Sequence, residues 1–137
     1  MKCDAIVIDD YAHHPLEIRA TLAAIRGAHP DMTIICVFQP HTHDRTLKLW
    51  DDFVSSFQDA NHVIIPDIYD ARPDKDAQQV DVEKFVHAIE AKSGVSSIHG
   101  KSLKAAEELV RKDATENTVI ITMGAGSITS LSDWLLA

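Results

Sequence analysis

Short apolar runs alternate with amphipathic stretches along the whole chain. Five runs are rich in β-branched residues and nearly free of charge, a pattern typical of strands that are buried on both faces of a sheet. The predicted strands are Ala5–Ile8, Thr33–Phe38, His62–Pro66, Val95–His99 and Thr118–Met123.

Between the strands, apolar residues recur at the spacing of helices that bury one face. The residues at the ends of these stretches support the assignment. Pro15 suits a first helical position and Gly27 a helix end, while Asp81 and Ser102 suit the cap that precedes a helix. The predicted helices are Pro15–Arg26, Arg45–Phe57, Asp81–Lys92, Lys101–Lys112 and Ser127–Leu136.

The order of these elements predicts the fold class. Strands that alternate with helices through short connections form right-handed crossovers, which produce a parallel sheet covered by helices. We therefore predict an α/β fold, a three-layer Rossmann-like domain with a mainly parallel sheet of about five to six strands. A length of 137 residues suits a single domain over 1–137, with Asp67–Val80 as its long polar connection.

Composition narrows the function classes. The formal net charge of −8 disfavours nonspecific binding to nucleic acid and to anionic membranes. No apolar run approaches the roughly 20 residues of a membrane span, and the N-terminus lacks the basic region and cleavage site of a signal peptide. Cys3 and Cys36 lie in or beside apolar runs and are predicted to be buried free thiols. These features predict a cytoplasmic location.

Candidate chemistry concentrates where the predicted strands end. In a parallel sheet, the loops after the carboxyl ends of the strands form the ligand crevice. These loops contain DDYAHHP, QPHTHDR, PDIYDARPD, HGKS and GAGSIT, and the first three are the richest in polar residues. We therefore expect a ligand site at this edge of the sheet.

The segment DDYAHHP, Asp9–Pro15, allows two interpretations. In the first, His14 or a neighbour caps the next helix while Asp9 or Asp10 accepts bonds from turn amides. In the second, a carboxylate binds ribose hydroxyls and an imidazole contacts a phosphate or carboxylate. Metal binding by His13 and His14 alone is disfavoured, because adjacent side chains rarely reach one ion.

The segment FQPHTHDRT, Phe38–Thr46, places Arg45 near a predicted helix start. A helix N-terminus and a guanidinium both favour an anion, and arginine can hold a carboxylate through two parallel bonds. A metal site formed by His41, His43 and Asp44 is the less favoured alternative.

Two further loops carry weaker signals. MGAGSIT, Met123–Thr129, suits either a phosphate-binding turn or close packing of a helix against a strand, and the chain contains neither GxGxxG nor GxxxxGK[ST]. In HGKS, His99–Ser102, we expect Lys101 to be a solvated residue of a first helical turn rather than a phosphate ligand.

Together the motifs resemble the C-terminal domain of the Mur ligases, most closely the UDP-N-acetylmuramate–L-alanine ligase (MurC) type. The resemblance covers essentially the whole chain in one order: DDYAHHP, FQPHTHDRT, D-x-Y-x-A at Asp67–Ala71, and GAGSI. The murein-peptide recycling ligase is the nearest relative that could be confused with it, with a DFAHHP-like first motif. Tyr11 and the FQPH sequence favour the L-alanine type.

The resemblance implies an ATP-dependent ligase of peptidoglycan synthesis, and hence a role in cell-wall biogenesis, cell shape and cell division. Such enzymes convert a carboxylate of UDP-N-acetylmuramate into an acyl phosphate, which the amine of L-alanine attacks. The Mg²⁺ ligands are expected in a central ATPase domain, and the UDP-sugar is expected in an N-terminal domain, both outside this chain. The C-terminal domain is expected to be the closing lid, which excludes water and is inactive by itself.

The resemblance also implies roles for individual residues. Asp10 matches a nucleotide contact. His13 matches a residue at the nucleotide and its phosphate, with a catalytic role. Tyr11, His41 and Arg45 match the L-alanine site, and no metal ligand is expected in this domain.

Two positions depart from the family pattern. Thr42 stands where several such enzymes carry Arg, and Ser127 stands where the glycine turn usually has Asp, although Ser can still cap a helix. His14 is expected to be a helix cap and a structural neighbour of the site. The alternative function is a stand-alone α/β module that binds a nucleotide or a small acid without catalysis, or the C-terminal domain of the related murein-peptide recycling ligase.

Overall fold

The computed structural model describes residues 4–68 and 79–137. In these residues, strands and helices alternate in the predicted order. The strands are β1 Ile6–Asp10, β2 Thr33–Phe38, β3 His62–Pro66, β4 Ser96–Lys101 and β5 Thr118–Met123. The helices are α1 Pro15–Ala28, α2 His43–Lys48, α3 Trp50–Val54, α4 Val82–Ser93, α5 Leu103–Asp113 and α6 Thr129–Leu136.

The strands form one sheet in the order β1-β5-β2-β3-β4, and every neighbouring pair is parallel. One apolar cluster packs α1, α3 and α4 on one face, with Ile18, Phe53 and Phe85 fully buried. A second cluster packs α5 and α6 on the other face, around Val110 and Leu131. The predicted α/β fold with a parallel sheet between two helical layers is therefore confirmed.

Most helix boundaries follow the predicted signals. Pro15 begins α1, and Asp81 and Ser102 accept hydrogen bonds from the amides of Lys84 and Ala105. The prediction that Gly27 ends α1 is wrong, since the helix continues to Ala28 and the chain leaves it at the next residue.

The predicted helix Arg45–Phe57 is two short helices. Leu49, with φ −108° and ψ 21°, separates α2 from α3. The start of α2 lies two residues before the predicted limit, because the Thr42 side chain caps the helix there.

The prediction that Lys101 lies in a first helical turn is also wrong. It is the last residue of β4 and has a positive φ of 64°. The preceding Gly100 allows α5 to approach the sheet, since a Cβ there would lie 2.6 Å from a methyl carbon of Ile64 and 3.3 Å from Cβ of Ala106.

Cys36 is a buried free thiol, as predicted, and its burial raises the pKa of the thiol. Cys3 lies outside the described residues. Across residues 4–68 and 79–137, no helix is both long and apolar enough to span a membrane.

Because all the strands are parallel, their carboxyl ends lie along one side of the sheet. We call this side the carboxyl edge and define it by residues 10–14, 39–42, 67–68, 101–102 and 124–128. Four of the five polar segments selected from the sequence therefore reach or lie at this edge, and the fifth, PDIYDARPD, is described only as far as Ile68.

Candidate functional site

The second half of DDYAHHP builds the start of α1. His14 is the N-cap: its Nδ1 accepts a hydrogen bond from the Leu16 amide at 3.2 Å. Glu17 completes a capping box, because its Oε1 accepts from the His14 amide at 3.1 Å. That bond, with a second from the His13 amide, lowers the pKa of the Glu17 carboxyl. The cap interpretation is therefore correct for His14, and an acid three residues after a cap was the sequence signal for Glu17.

The two acids of the motif point to opposite faces of the sheet. Asp9 Oδ1 accepts a bond of 2.7 Å from the Thr122 hydroxyl on β5. Asp10 Oδ1 accepts a bond of 2.7 Å from the Ala12 amide, and its Oδ2 lies 3.5 Å from the Thr21 hydroxyl on α1. Asp10 thus holds the turn, yet its carboxylate keeps lone pairs for a ligand, since two oxygens offer about four acceptor positions.

The structure brings together three of the five residues selected as the site. The rings of Tyr11 and His13 meet edge to face with centroids 5.4 Å apart, and the rings of His13 and His41 lie 6.4 Å apart. Tyr11 is exposed, whereas both histidines are half-buried. Two segments that are far apart in the sequence therefore meet in one ring cluster at the carboxyl edge.

The His13 ring has a defined orientation. Its Nδ1 lies 3.0 Å from the carbonyl oxygen of Tyr11. A carbonyl oxygen can only accept a hydrogen bond, so Nδ1 carries the hydrogen in this contact. In the neutral imidazole, Nε2 is then the acceptor, and no described residue bonds to it. The sequence could not indicate this tautomer, because it depends on how the turn folds back.

Arg45 lies in α2, four residues after His41. Its backbone amide donates to the Thr42 hydroxyl at 3.2 Å, so the Thr42 side chain serves as a helix cap. The Arg45 side chain is exposed, and its guanidinium makes no hydrogen bond or ion pair with any other residue in 4–68 or 79–137. A cation thus remains available for an anion at the start of α2.

The alternative metal site is not supported by the described geometry. His43 Nδ1 accepts a bond of 3.0 Å from the Val80 amide, and Asp44 pairs with Lys48 at 3.2 Å. No group of three or more His, Cys, Asp or Glu side chains within residues 4–68 and 79–137 is arranged to hold a metal ion. We therefore assign no metal ligand to His41, His43 or Asp44.

The glycine turn after β5 allows the chain to pack closely against Gln39 and Ile128. Gly124 has a φ of 149° and donates its amide to the Asp10 carbonyl oxygen at 3.2 Å. A Cβ at Gly124 would lie 2.9 Å from the Gln39 carbonyl oxygen and 2.9 Å from a methyl carbon of Ile128. The expected side-chain cap from Ser127 is absent, since α6 follows Ile128 without a side-chain cap and the Ser127 hydroxyl instead lies 3.5 Å from Gln39 Oε1.

Sequence reasoning missed the polar contacts beyond β3. His99 lies between two acids, with Nε2 2.8 Å from Asp67 Oδ1 and Nδ1 3.3 Å from Glu83 Oε1. It thereby ties the end of β3 and the first turn of α4 to β4. Residues Tyr69–Ala71 of the D-x-Y-x-A stretch lie outside the described residues.

Comparisons with known proteins agree with this arrangement. Residues 1–126 match the family model of the Mur ligase glutamate ligase domain. Over its full length the chain is 41% identical to the UDP-N-acetylmuramate–L-alanine ligase of Clostridium acetobutylicum, and it is 39% identical to that of Clostridium perfringens over 98% of the chain. It spans 29% of the length of each relative. The crystal structure of the UDP-N-acetylmuramate–alanine ligase MurC from Thermotoga maritima matches 95% of this chain, and 25% of its own, with a TM-score of 0.73 at 27% identity.

Proposed function

Because the chain belongs to the Mur ligase C-terminal domain family, we propose that it is the lid of a MurC-type ligase. The proposed reaction joins L-alanine to UDP-N-acetylmuramate in peptidoglycan precursor synthesis and consumes ATP. We assign the binding of the UDP-sugar, the ATPase chemistry and the Mg²⁺ ligands to other domains of the ligase. The cytoplasmic location remains part of this proposal.

The proposed chemistry has two steps. The γ-phosphoryl group of ATP passes to the muramate carboxylate, which yields ADP and an acyl phosphate. The amine of L-alanine then attacks the acyl carbon, and the tetrahedral intermediate releases phosphate and leaves an amide. The attacking nitrogen must lose a proton, and we assign its acceptance to Nε2 of His13, which no described residue engages.

The observation that carries the proposal is the meeting of the two motifs at the carboxyl edge. The ring cluster of Tyr11, His13 and His41 lies beside α2, which carries the exposed Arg45. An amino acid needs an anion-binding group for its carboxylate and an acceptor near its amine. We assign the first to Arg45 with His41 and the second to His13, with Tyr11 beside it.

We assign the nucleotide contact to Asp10 and His13. Asp10 ends β1 next to the glycine turn, and its carboxylate has acceptor positions left after the bond to Ala12. A carboxylate at the end of a strand suits the hydroxyls of a ribose.

The experiment is the substitution Arg45→Ala in a ligase that carries this chain. Loss of a charge-assisted bond costs roughly 1.5–3 kcal/mol, so the KM for L-alanine should rise on the order of tenfold to a hundredfold, with a smaller change in the KM for ATP. Lys48→Ala is the matched control, because it removes an exposed cation from the same helix, where Lys48 pairs with Asp44. An unchanged KM for L-alanine, or an equal effect in the control, would contradict the assignment of Arg45.

The domain assignment has a separate test. A GTxGKT/S-type central domain encoded in the same reading frame supports the ligase over the stand-alone binding module. An isolated reading frame that encodes only this fold, in a cell with another complete ligase of this type, would count against it.

A further inference from the structure

Hydrogen bonds join the ends of neighbouring strands along the carboxyl edge. At three of the junctions a backbone amide donates to a backbone carbonyl oxygen just at or beyond the strand ends. The bonds run from Gly124 to Asp10 between β5 and β1, from Gln39 to Met123 between β2 and β5, and from Asp67 to Lys101 between β3 and β4, with lengths of 3.2, 3.0 and 2.7 Å.

The junction between β2 and β3 differs from the others. Its ladder ends at Val37 and Ile64, whereas the ladder of β2 with β5 continues to Phe38. Pro66 ends β3 and Pro40 follows β2, and neither carries an amide hydrogen. The backbone therefore lacks the donors that would extend this ladder at these two positions.

The Gln39 side chain supplies the link at this junction. Its Nε2 donates to the Asp67 carbonyl oxygen at 3.2 Å, and its Oε1 lies 3.5 Å from the Ser127 hydroxyl. The residue is 5% exposed, so its amide is largely withdrawn from water. Burying an amide is costly unless it is hydrogen-bonded, and these two contacts satisfy both ends of the Gln39 side chain in one orientation.

We propose that Gln39 is a positioning residue that fixes the ring cluster of the site. Its backbone amide holds the end of β2 on β5, and its side chain holds the end of β3 on β2. Only Pro40 separates Gln39 from His41, and Pro40 is buried and restricted in φ. The place of His41 relative to His13 is thereby set by Gln39. The expected effect of Gln39 on substrate binding rests on the proposed function, whereas its expected effect on the order of the strand ends does not.

The first test measures amide hydrogen exchange in this chain. Gln39→Met keeps the approximate volume and removes both side-chain bonds. The Asp67 amide bonds to Lys101 of β4, so its exchange reports on how firmly the end of β3 is held. Because Gln39 bonds to the Asp67 carbonyl oxygen, the substitution should release this end, and we expect exchange of the Asp67 amide to accelerate about tenfold or more relative to the Asn61 amide, which bonds to Ile34 near the opposite edge. The Gly124 amide should keep its ratio to Asn61, because it bonds to Asp10 of β1 and takes no part in holding the end of β3. Equal acceleration of all three amides would show a general loss of stability and overturn the proposal.

The control for this test is Ser93→Ala. Ser93 is also buried and also bridges backbone groups, since its hydroxyl donates to Val54 and accepts from the Phe57 amide, but it lies at the end of α4 away from the carboxyl edge. It should leave the ratio of Asp67 to Asn61 exchange unchanged. A changed ratio in this control would show that the readout is not specific to the end of β3 that Gln39 holds, and it would overturn the inference.

The second test uses the ligase that carries this chain. Gln39→Met should raise the KM for L-alanine about fivefold or more, while Ser93→Ala leaves it within about twofold. His41→Ala reports separately on the proposed function. If His41→Ala raises this KM and Gln39→Met does not, the positioning role is refuted. If His41→Ala has no effect, the proposed substrate site is wrong, and the exchange result alone then supports or overturns the role of Gln39.

Discussion

Substitution of Gly124 by Ala should destabilise the domain strongly. Gly124 has a φ of 149°, which an L-residue rarely adopts, and its added Cβ would lie 2.9 Å from the Gln39 carbonyl oxygen and from a methyl carbon of Ile128. The Gln39 backbone cannot retreat freely, because its amide donates to the Met123 carbonyl oxygen. Both strain and overlap therefore act at one position.

The size of the effect follows from these two contributions. A residue held in a disfavoured backbone region costs about 1–3 kcal/mol, and forcing a methyl group into a packed site costs about 1–3 kcal/mol more. The sum of about 2–6 kcal/mol is a large share of the roughly 5–15 kcal/mol by which domains are stable. The melting temperature should fall on the order of 10 °C.

Urea unfolding of the chain and two further glycine substitutions separate these causes. Gly94, the C-cap of α4, has a φ of 70° but no atom within 4 Å of an added Cβ, so Gly94→Ala should show the strain alone, about 1 kcal/mol. Gly27 lies inside α1 with open space around it, so Gly27→Ala should stabilise the domain by about 0.5–1 kcal/mol. If Gly124→Ala costs no more than Gly94→Ala, the contact with Gln39 and Ile128 is not rigid, and the explanation of the glycine turn is refuted.

Three further predictions follow from single contacts. Glu17 has a lowered pKa in the folded domain, so its stabilising contribution is present above its ordinary pKa of 4.5 and is lost as the pH falls through the folded pKa. The difference in unfolding free energy between wild type and Glu17→Gln, below about 1 kcal/mol for this exposed group, should therefore shrink from pH 7 to pH 3.5 in urea titrations. A difference that stays constant over this range contradicts the charge effect. The raised pKa and burial of Cys36 predict that iodoacetamide at pH 8 labels it only in the unfolded chain, and equal labelling of native and urea-unfolded protein by peptide mapping would refute this. In the ligase, Asp10→Asn keeps an acceptor for the Ala12 amide but loses the charge, so it should raise the KM for ATP. Asp10→Ala loses both and should raise this KM further. Normal ATP kinetics in Asp10→Ala would rule out the nucleotide contact.

Local patterns in the sequence determined the strands and helices and many of their boundaries. The limits of β2, β3 and β5 agree with the predicted strands residue for residue, because their uncharged, largely β-branched runs end at turn residues. Pro15 likewise begins α1, as its residue type indicates. Such features depend on neighbours within a few positions, so the sequence alone is sufficient to reveal them. The motifs that indicated the ligand site are also local, and their order along the chain was enough to reveal the family.

The tertiary structure decided which of these local pieces meet. The insertion of β5 between β1 and β2 places Thr122 on Asp9, 113 positions apart in the chain. It also places the glycine turn against Gln39. The side-chain amide of Gln39 links the ends of β2 and β3, where Pro40 and Pro66 lack the backbone donors for a further bond. Neither contact has a local signature, because the partner of a buried polar group is set by the path of the crossovers and not by the residue's own neighbours. The sequence thus indicated which residues could form the site, and packing of the sheet decided how they are held.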